Sequence, residues 1–288
     1  QVATGFVDTV MAGRVSTDDL AAVSLGASIF ITVYVTLMGI VSALNPILSH
    51  QFGAGETRRI GETARQGLWF GLLLGCLGVL LMLAIQPLLR LWLSLPETVE
   101  DKVMLYIDGA AFGMPAAMMH RALHAFASSL NRPRPIMVVS LIALLLNIPL
   151  NYMLIHGLFG LPQLGGAGCG WATSVAHLLM ALLLLHHARR SARARSLPLW
   201  VRAVRPAWPA LRELLRLGLP MGSAIFFEVS FFALVALLLA PFGAIEVASH
   251  QVALNISSVC FMLPLSLAIA LTIRVGTNLG AGQPQQAF

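Results

Sequence analysis

Residues 20–49, LAAVSLGASIFITVYVTLMGIVSALNPILS, run without an Asp, Glu, Lys or Arg. About 20 apolar residues carry a helix across the hydrocarbon, so this stretch is long enough to cross with a tilt or a bend. It lacks the strict alternation of a barrel strand, and a backbone in lipid must satisfy its own hydrogen bonds, which leaves a helix. Working outward, apolar runs with few or no charges recur at 1–13 (partial), 66–89, 103–130, 135–156, 167–187, 217–241 and 247–273. The fold class read from them is an all-α integral membrane protein with about eight transmembrane helices.

Composition agrees. Of 288 residues, 58% are hydrophobic and 10% are charged, and the mean hydropathy is +0.83. Soluble domains carry roughly 25% charged residues, so an ordinary soluble enzyme is excluded, and so is a disordered chain. The net charge is +6, but the basic residues lie between apolar runs instead of on one face, so nucleic acid is not a partner. Cys76, Cys169 and Cys260 form no CxxC and read as small buried hydrophobes. The chain opens with Gln1 inside one apolar run and stops soon after another, the pattern expected of a fragment, with no visible signal peptide.

Loop charge sets the orientation. Arg58, Arg59 and Arg65, then Arg132 and Arg134, then eight arginines from Arg189 to Arg216, mark cytoplasmic loops. The opposite loops mix Arg14, Arg90 and Lys102 with Asp18, Asp19, Glu97, Glu100, Asp101 and Glu246, and face outward. The stretch 189–216 is also the longest, and Pro198, Pro206 and Pro209 resist a continuous helix there. It reads as a basic cytoplasmic linker between an N-terminal lobe, 1–188, and the start of a C-terminal lobe, 217–288.

Sliding the chain so that Asp19 meets Glu246 aligns two apolar runs that both end in Gly-Ala-Gly, at Gly53–Gly55 and Gly280–Gly282. Ala21/Ala248, Ile29/Ile256, Ala43/Ala270 and Leu44/Leu271 are identities, while Ser24 and Ser28 fall on Gln251 and Asn255. Both runs enter from the same side, which defines a parallel repeat about the membrane normal, one of the architectures of secondary transporters. Two six-helix lobes, about twelve spans in all, are the expectation, with roughly four outside this chain.

Ionisable residues within spans are functional candidates. Asp8 lies about 9 Å from the outer end of its span by helix rise, a depth it shares with Asn147 and Asn151, which stand four apart on one helix face around Pro149. A carboxylate, two amide oxygens and a carbonyl freed by Pro149 could hold a proton or a hard cation such as Na⁺, although such amides also serve as plain glue between helices. Glu228, about 18 Å along its span from Arg216, is a second candidate, able to bind Na⁺ itself, with Gln251 and Asn255 on the next span. Asp108 reads as a headgroup-level residue. Phe226, Phe227, Phe231 and Phe232 either line an amphipathic pocket or pack against core and lipid. Gly67, Gly71 and Gly75 form a helix-packing stripe. Pro46, Pro115, Pro149 and Pro264 imply kinks. His120 and His124 lack a third metal ligand.

GFVDTVMAG (5–13), NIPLN (147–151), GGAGCG (165–170), Phe226-Phe227-Glu228 and HQVALN (250–255) resemble the multidrug and toxic compound extrusion (MATE) transporters, in particular their bacterial NorM-type branch. The resemblance is collinear over essentially the whole chain. It implies a twelve-helix antiporter in the bacterial inner membrane, exporting cationic or amphipathic drugs by alternating access while H⁺ or Na⁺ enters, without a cofactor and as a monomer. It matches Asp8, with Asn147 and Asn151, to the family's N-lobe coupling carboxylate, and Glu228 to a C-lobe cation site. Two alternatives remain. A flippase for a lipid-linked substrate would favour a cationic cavity, whereas these spans hold two carboxylates and almost no Arg or Lys. A membrane-embedded enzyme would need a motif such as GxSxG, HExxH or CxxC, and none is present.

Overall fold

The computed structural model describes residues 2–92, 96–160, 162–190, 205–239 and 244–286. The described residues are helical, with no strand among them. The helices are α1 (Val2–Gly13), α2 (Thr17–Val41), α3 (Leu44–Gly53), α4 (Thr57–Trp92), α5 (Glu97–Phe112), α6 (Met114–Ser129), α7 (Pro133–His156), α8 (Gly168–Arg190), α9 (Trp208–Leu239) and α10 (Ala244–Gly280).

Every expected span is occupied by helix, but two are broken. The run at 20–49 becomes α2 and α3, parted at Ser42–Ala43 just ahead of Pro46. The run at 103–130 becomes α5 and α6, parted at Gly113, with Pro115 in the first turn of α6, where a missing N–H leaves no bond unmade. By contrast α7 and α10 run through Pro149 and Pro264. The expectation that Pro209 resists a helix is corrected: it sits in the first turn of α9, the one place a helix accepts proline without loss. That helix starts well before residue 217, and Gln66 on α4 holds its lead-in from both sides, donating to the Arg205 carbonyl at 3.1 Å and accepting from the Ala207 N–H at 2.9 Å. Most of the expected linker, residues 191–204, lies outside the described residues.

Burial follows lipid logic. On α7, Val139, Ala143, Asn147, Asn151 and Ile155 are buried at strict four-residue spacing, while Leu141, Leu145, Ile148 and Tyr152 are exposed. The glycine stripe of α4 meets Leu44 of α3 at Gly67, and the backbones of Met118 and Pro115 of α6 at Gly71 and Gly75. Cysteine burial is corrected in part: Cys169 is buried, but Cys76 and Cys260 are exposed, since they lie on outward faces of α4 and α10.

The aligned Gly-Ala-Gly ends meet each other. A Cβ on Gly53 would strike the Thr277 carbonyl and the Ala281 nitrogen, and a Cβ on Gly280 would strike the His50 carbonyl and the Ala54 nitrogen. His50 and Thr277, like Ala54 and Ala281, are repeat mates, so the two contacts are images of one another. The helix ends match too. Ala54 N donates to His50 O at 2.9 Å and Ala281 N to Thr277 O at 3.0 Å, and the closing glycines Gly55 and Gly282 have φ of 70° and 71°. α3 and the end of α10 therefore pair about a local two-fold.

Candidate functional site

α1 places Asp8 against α7 and α8, where it is 5% exposed. Asn151 Nδ2 donates to Asp8 Oδ1 at 2.6 Å and to Asn147 Oδ1 at 3.2 Å. From α8, the Thr173 hydroxyl donates to Asp8 Oδ2 at 3.2 Å, and the Cys169 thiol lies 3.9 Å from the Asp8 carbonyl oxygen as a weak donor. Asn147 and Asn151 are fully buried, on the packed stripe of α7. The three sequence candidates of the N-terminal half are thus in one pocket, and Thr173 is a further member that sequence reasoning missed.

The pocket keeps unused hydrogen-bonding capacity. Asn147 Nδ2 and Asn151 Oδ1 are buried without a hydrogen-bond partner among the described residues. An unsatisfied buried polar atom costs roughly 1–3 kcal/mol, and two of them lie beside this one carboxylate. Turning the Asn151 amide about its Cβ–Cγ bond would bring Oδ1 to the carboxyl, where a protonated Asp8 could donate to it, or where a cation could be shared.

The start of α8 is fixed from outside. Asp19 fills the N3 position of α2, whose N-cap Ser16 accepts from Asp19 N at 3.0 Å. Its carboxylate accepts from Ser16 Oγ at 2.5 Å, from Lys102 Nζ of α5 at 2.9 Å and from the Gly166 N–H at 2.8 Å. Gly165 has φ of 57°, and a Cβ on it or on Gly166 would press into Asp19. Gly165 and Gly166 are therefore glycine because the buried Asp19 occupies the space of their side chains, while Gly168 packs on Leu154, and this GGAG turn delivers Cys169 and Thr173 to Asp8.

The remaining candidates are elsewhere. Glu228 on α9 is exposed, and among the described residues it forms no hydrogen bond or ion pair. Phe226 and Phe227 beside it are exposed and stack edge-on, centroids 5.8 Å apart. The side chains of Gln251 and Asn255 on α10 lie outside the described residues. Among the described residues, no group of three His, Cys, Asp or Glu side chains could hold a metal ion. Gln86 donates to Asp108 at 2.6 Å on an exposed face. Arg121 lies within α6 in the midst of the fourth span.

The model of the MatE family matches residues 1–153 and 220–287. The chain belongs to the MatE family. It is 59% identical over 287 residues to the "Probable multidrug resistance protein NorM" of Chromobacterium violaceum, an alignment covering 100% of this chain and 62% of that protein. It is 43% identical to the "Multidrug resistance protein PmpM" of Pseudomonas aeruginosa, over 99% of this chain and 60% of the relative. Among solved structures, the MATE transporter NorM-NG in complex with the dye rhodamine 6G and a monobody superposes with a TM-score of 0.83 at 44% identity, over 97% of this chain and 61% of that one. The eukaryotic MATE transporter AtDTX14 shares the fold, with a TM-score of 0.86 at 23% identity. The chain therefore spans less than two thirds of the length of these MatE relatives. MatE proteins are transporters, and among the described residues six helical stretches, Thr17–Gly53 (α2 with α3) among them, are long and apolar enough to cross a membrane. The chain is a multi-pass protein of the bacterial inner membrane.

Proposed function

We propose that the chain is part of a multidrug efflux antiporter that exports cationic or amphipathic compounds by alternating access while H⁺ or Na⁺ enters. The observation that carries this reading is the Asp8 pocket: a single buried carboxylate, bonded by Asn151 and Thr173 from two other helices, with an orphan donor and an orphan acceptor on the Asn pair. A carboxylate in hydrocarbon is costly unless it is protonated or holds a cation, so a drug cation and a coupling ion compete for one charge. Asn151 can serve both states, donating to the anion and, with its amide turned, accepting from the acid. The names of the relatives support multidrug export, and the rhodamine 6G held by NorM-NG is the proposed probe substrate.

In the same reading, 1–188 and 217–288 belong to two lobes that move about the 189–216 linker. The α3–α10 pairing forms one seam between them, and Gly39 against Gly222 of α9 forms another. Glu228, with Gln251 and Asn255, is assigned to a second cation site, and Phe226 and Phe227 to substrate contact. The test is rhodamine 6G efflux by the full-length transporter in proteoliposomes under imposed H⁺ or Na⁺ gradients. Wild type should accumulate dye against its gradient; Asp8→Asn, equally well inserted, should only equilibrate it. Uphill transport by Asp8→Asn would refute the reading.

A further inference from the structure

Among the described residues, Arg121 is a mid-membrane cation without an anion. It lies eight residues, about 12 Å of helix rise, before the inner end of α6 at Ser129, and Asp8 lies about 9 Å below the outer surface, so on a core about 30 Å thick the two differ in depth by about 9 Å. The Arg121 side chain is half-buried. Its hydrogen-bond partner among the described residues is the Met38 thioether of α2, and no carboxylate of theirs lies within ion-pair distance. A guanidinium carries five N–H donors in a fork shaped for two oxygens of one anion, and a thioether is a weak acceptor that engages one of them. Imidazoles lie near it, His120 and His124 on its own helix and His177 on α8. His120, 4% exposed, has neither ring nitrogen hydrogen-bonded among the described residues.

A charge at this depth is retained where it faces a water-filled cavity or an anion, and among the described residues no carboxylate pairs with this one. We propose that Arg121, with His120 beside it, is a substrate-anion site: it takes the carboxylate of zwitterionic amphiphiles whose cationic end competes for Asp8. The proposal rests on the antiporter reading and extends its substrate class. Purely cationic compounds need Asp8 alone, whereas a zwitterion is neutralised at both ends, by the fork at one and the carboxylate at the other.

The experiment uses the full-length transporter and two dyes that differ in one group, a rhodamine with a free carboxylate and its methyl ester. Binding and efflux are measured for wild type, Arg121→Gln and Arg121→Lys. Arg121→Gln should weaken binding of the free-carboxylate dye about tenfold or more and change ester binding less than about twofold, because only the former loses a charge-assisted pair. Arg121→Lys should recover part of the loss, a point charge replacing the fork. Equal loss for both dyes would show that Arg121 pairs within the protein or supports the fold, and no change for either would put it outside the pathway; each overturns the proposal. Should both variants fail to insert, wild type decides: binding the ester more tightly than the free carboxylate would also overturn it. Ester efflux by wild type in any of these cases leaves the antiporter reading intact.

Discussion

The two intramembrane carboxylates Asp8 and Glu228 have opposite surroundings. Asp8 is enclosed by α1, α7 and α8 and bonded at both oxygens, whereas Glu228 is exposed and has no described partner. The difference follows from which stripe of each helix is packed. On α7 the four-residue stripe that meets its neighbours runs through Asn147 and Asn151, so polar groups are carried inward. On α9 the stripe that meets α2 runs through Gly218, Gly222 and Ile225, and at helical spacing it continues to Val229, not Glu228. The lesson is that an intramembrane charge becomes a formed site when its own helix's packing stripe, or its neighbour's, delivers hydrogen-bonding partners to it.

This contrast can be broken from either end. The larger effect is expected at Asn151, whose replacement by Leu leaves Asp8 Oδ1 without its donor and Asn147 Oδ1 without its contact. Coupled efflux should fall by roughly tenfold or more, as a buried group left unsatisfied costs about 1–3 kcal/mol. Asn151→Asp, which restores oxygen ligands and adds a charge, should favour Na⁺ over H⁺ in the same assay. If Asn151→Leu transported normally, the pocket would be packing and nothing more. A smaller effect is expected for Glu228→Gln. One charge crossing 100 mV is worth about 2.3 kcal/mol, roughly a fifty-fold drug gradient at perfect coupling, so losing a second cation site should flatten the dependence of efflux on the ion gradient while leaving drug affinity nearly unchanged. Identical gradient dependence in wild type and Glu228→Gln would remove Glu228 from the coupling scheme and sharpen the contrast with Asp8.

Much of this is legible in the sequence, for physical reasons that also set the limit. Charge-free runs such as 20–49 announce helices because lipid tolerates nothing else, and Asn147 and Asn151 announce a shared face because helical periodicity is local. The breaks at Ser42–Ala43 and Gly113 are not placed by sequence, since a proline signals a bend and the tertiary contacts decide where the helix parts. Thr173 escapes notice because a hydroxyl inside a span normally bonds its own helix backbone, and only the fold brings it to Asp8. The same holds for Asp19: its Ser16 cap is local, but Lys102 and Gly166 come from distant parts of the chain. Arg121 is easily passed over because the residues around it are so apolar that the run still reads as one span.

The central claim is that drug and proton compete for Asp8, and proton release tests it most directly. Saturating rhodamine 6G is added to the detergent-solubilised full-length transporter in weakly buffered solution, and the protons freed per protein are counted across pH. Wild type and Glu228→Gln should each release protons on binding dye, while Asp8→Asn should bind dye and release none. Undiminished release from Asp8→Asn would contradict the account.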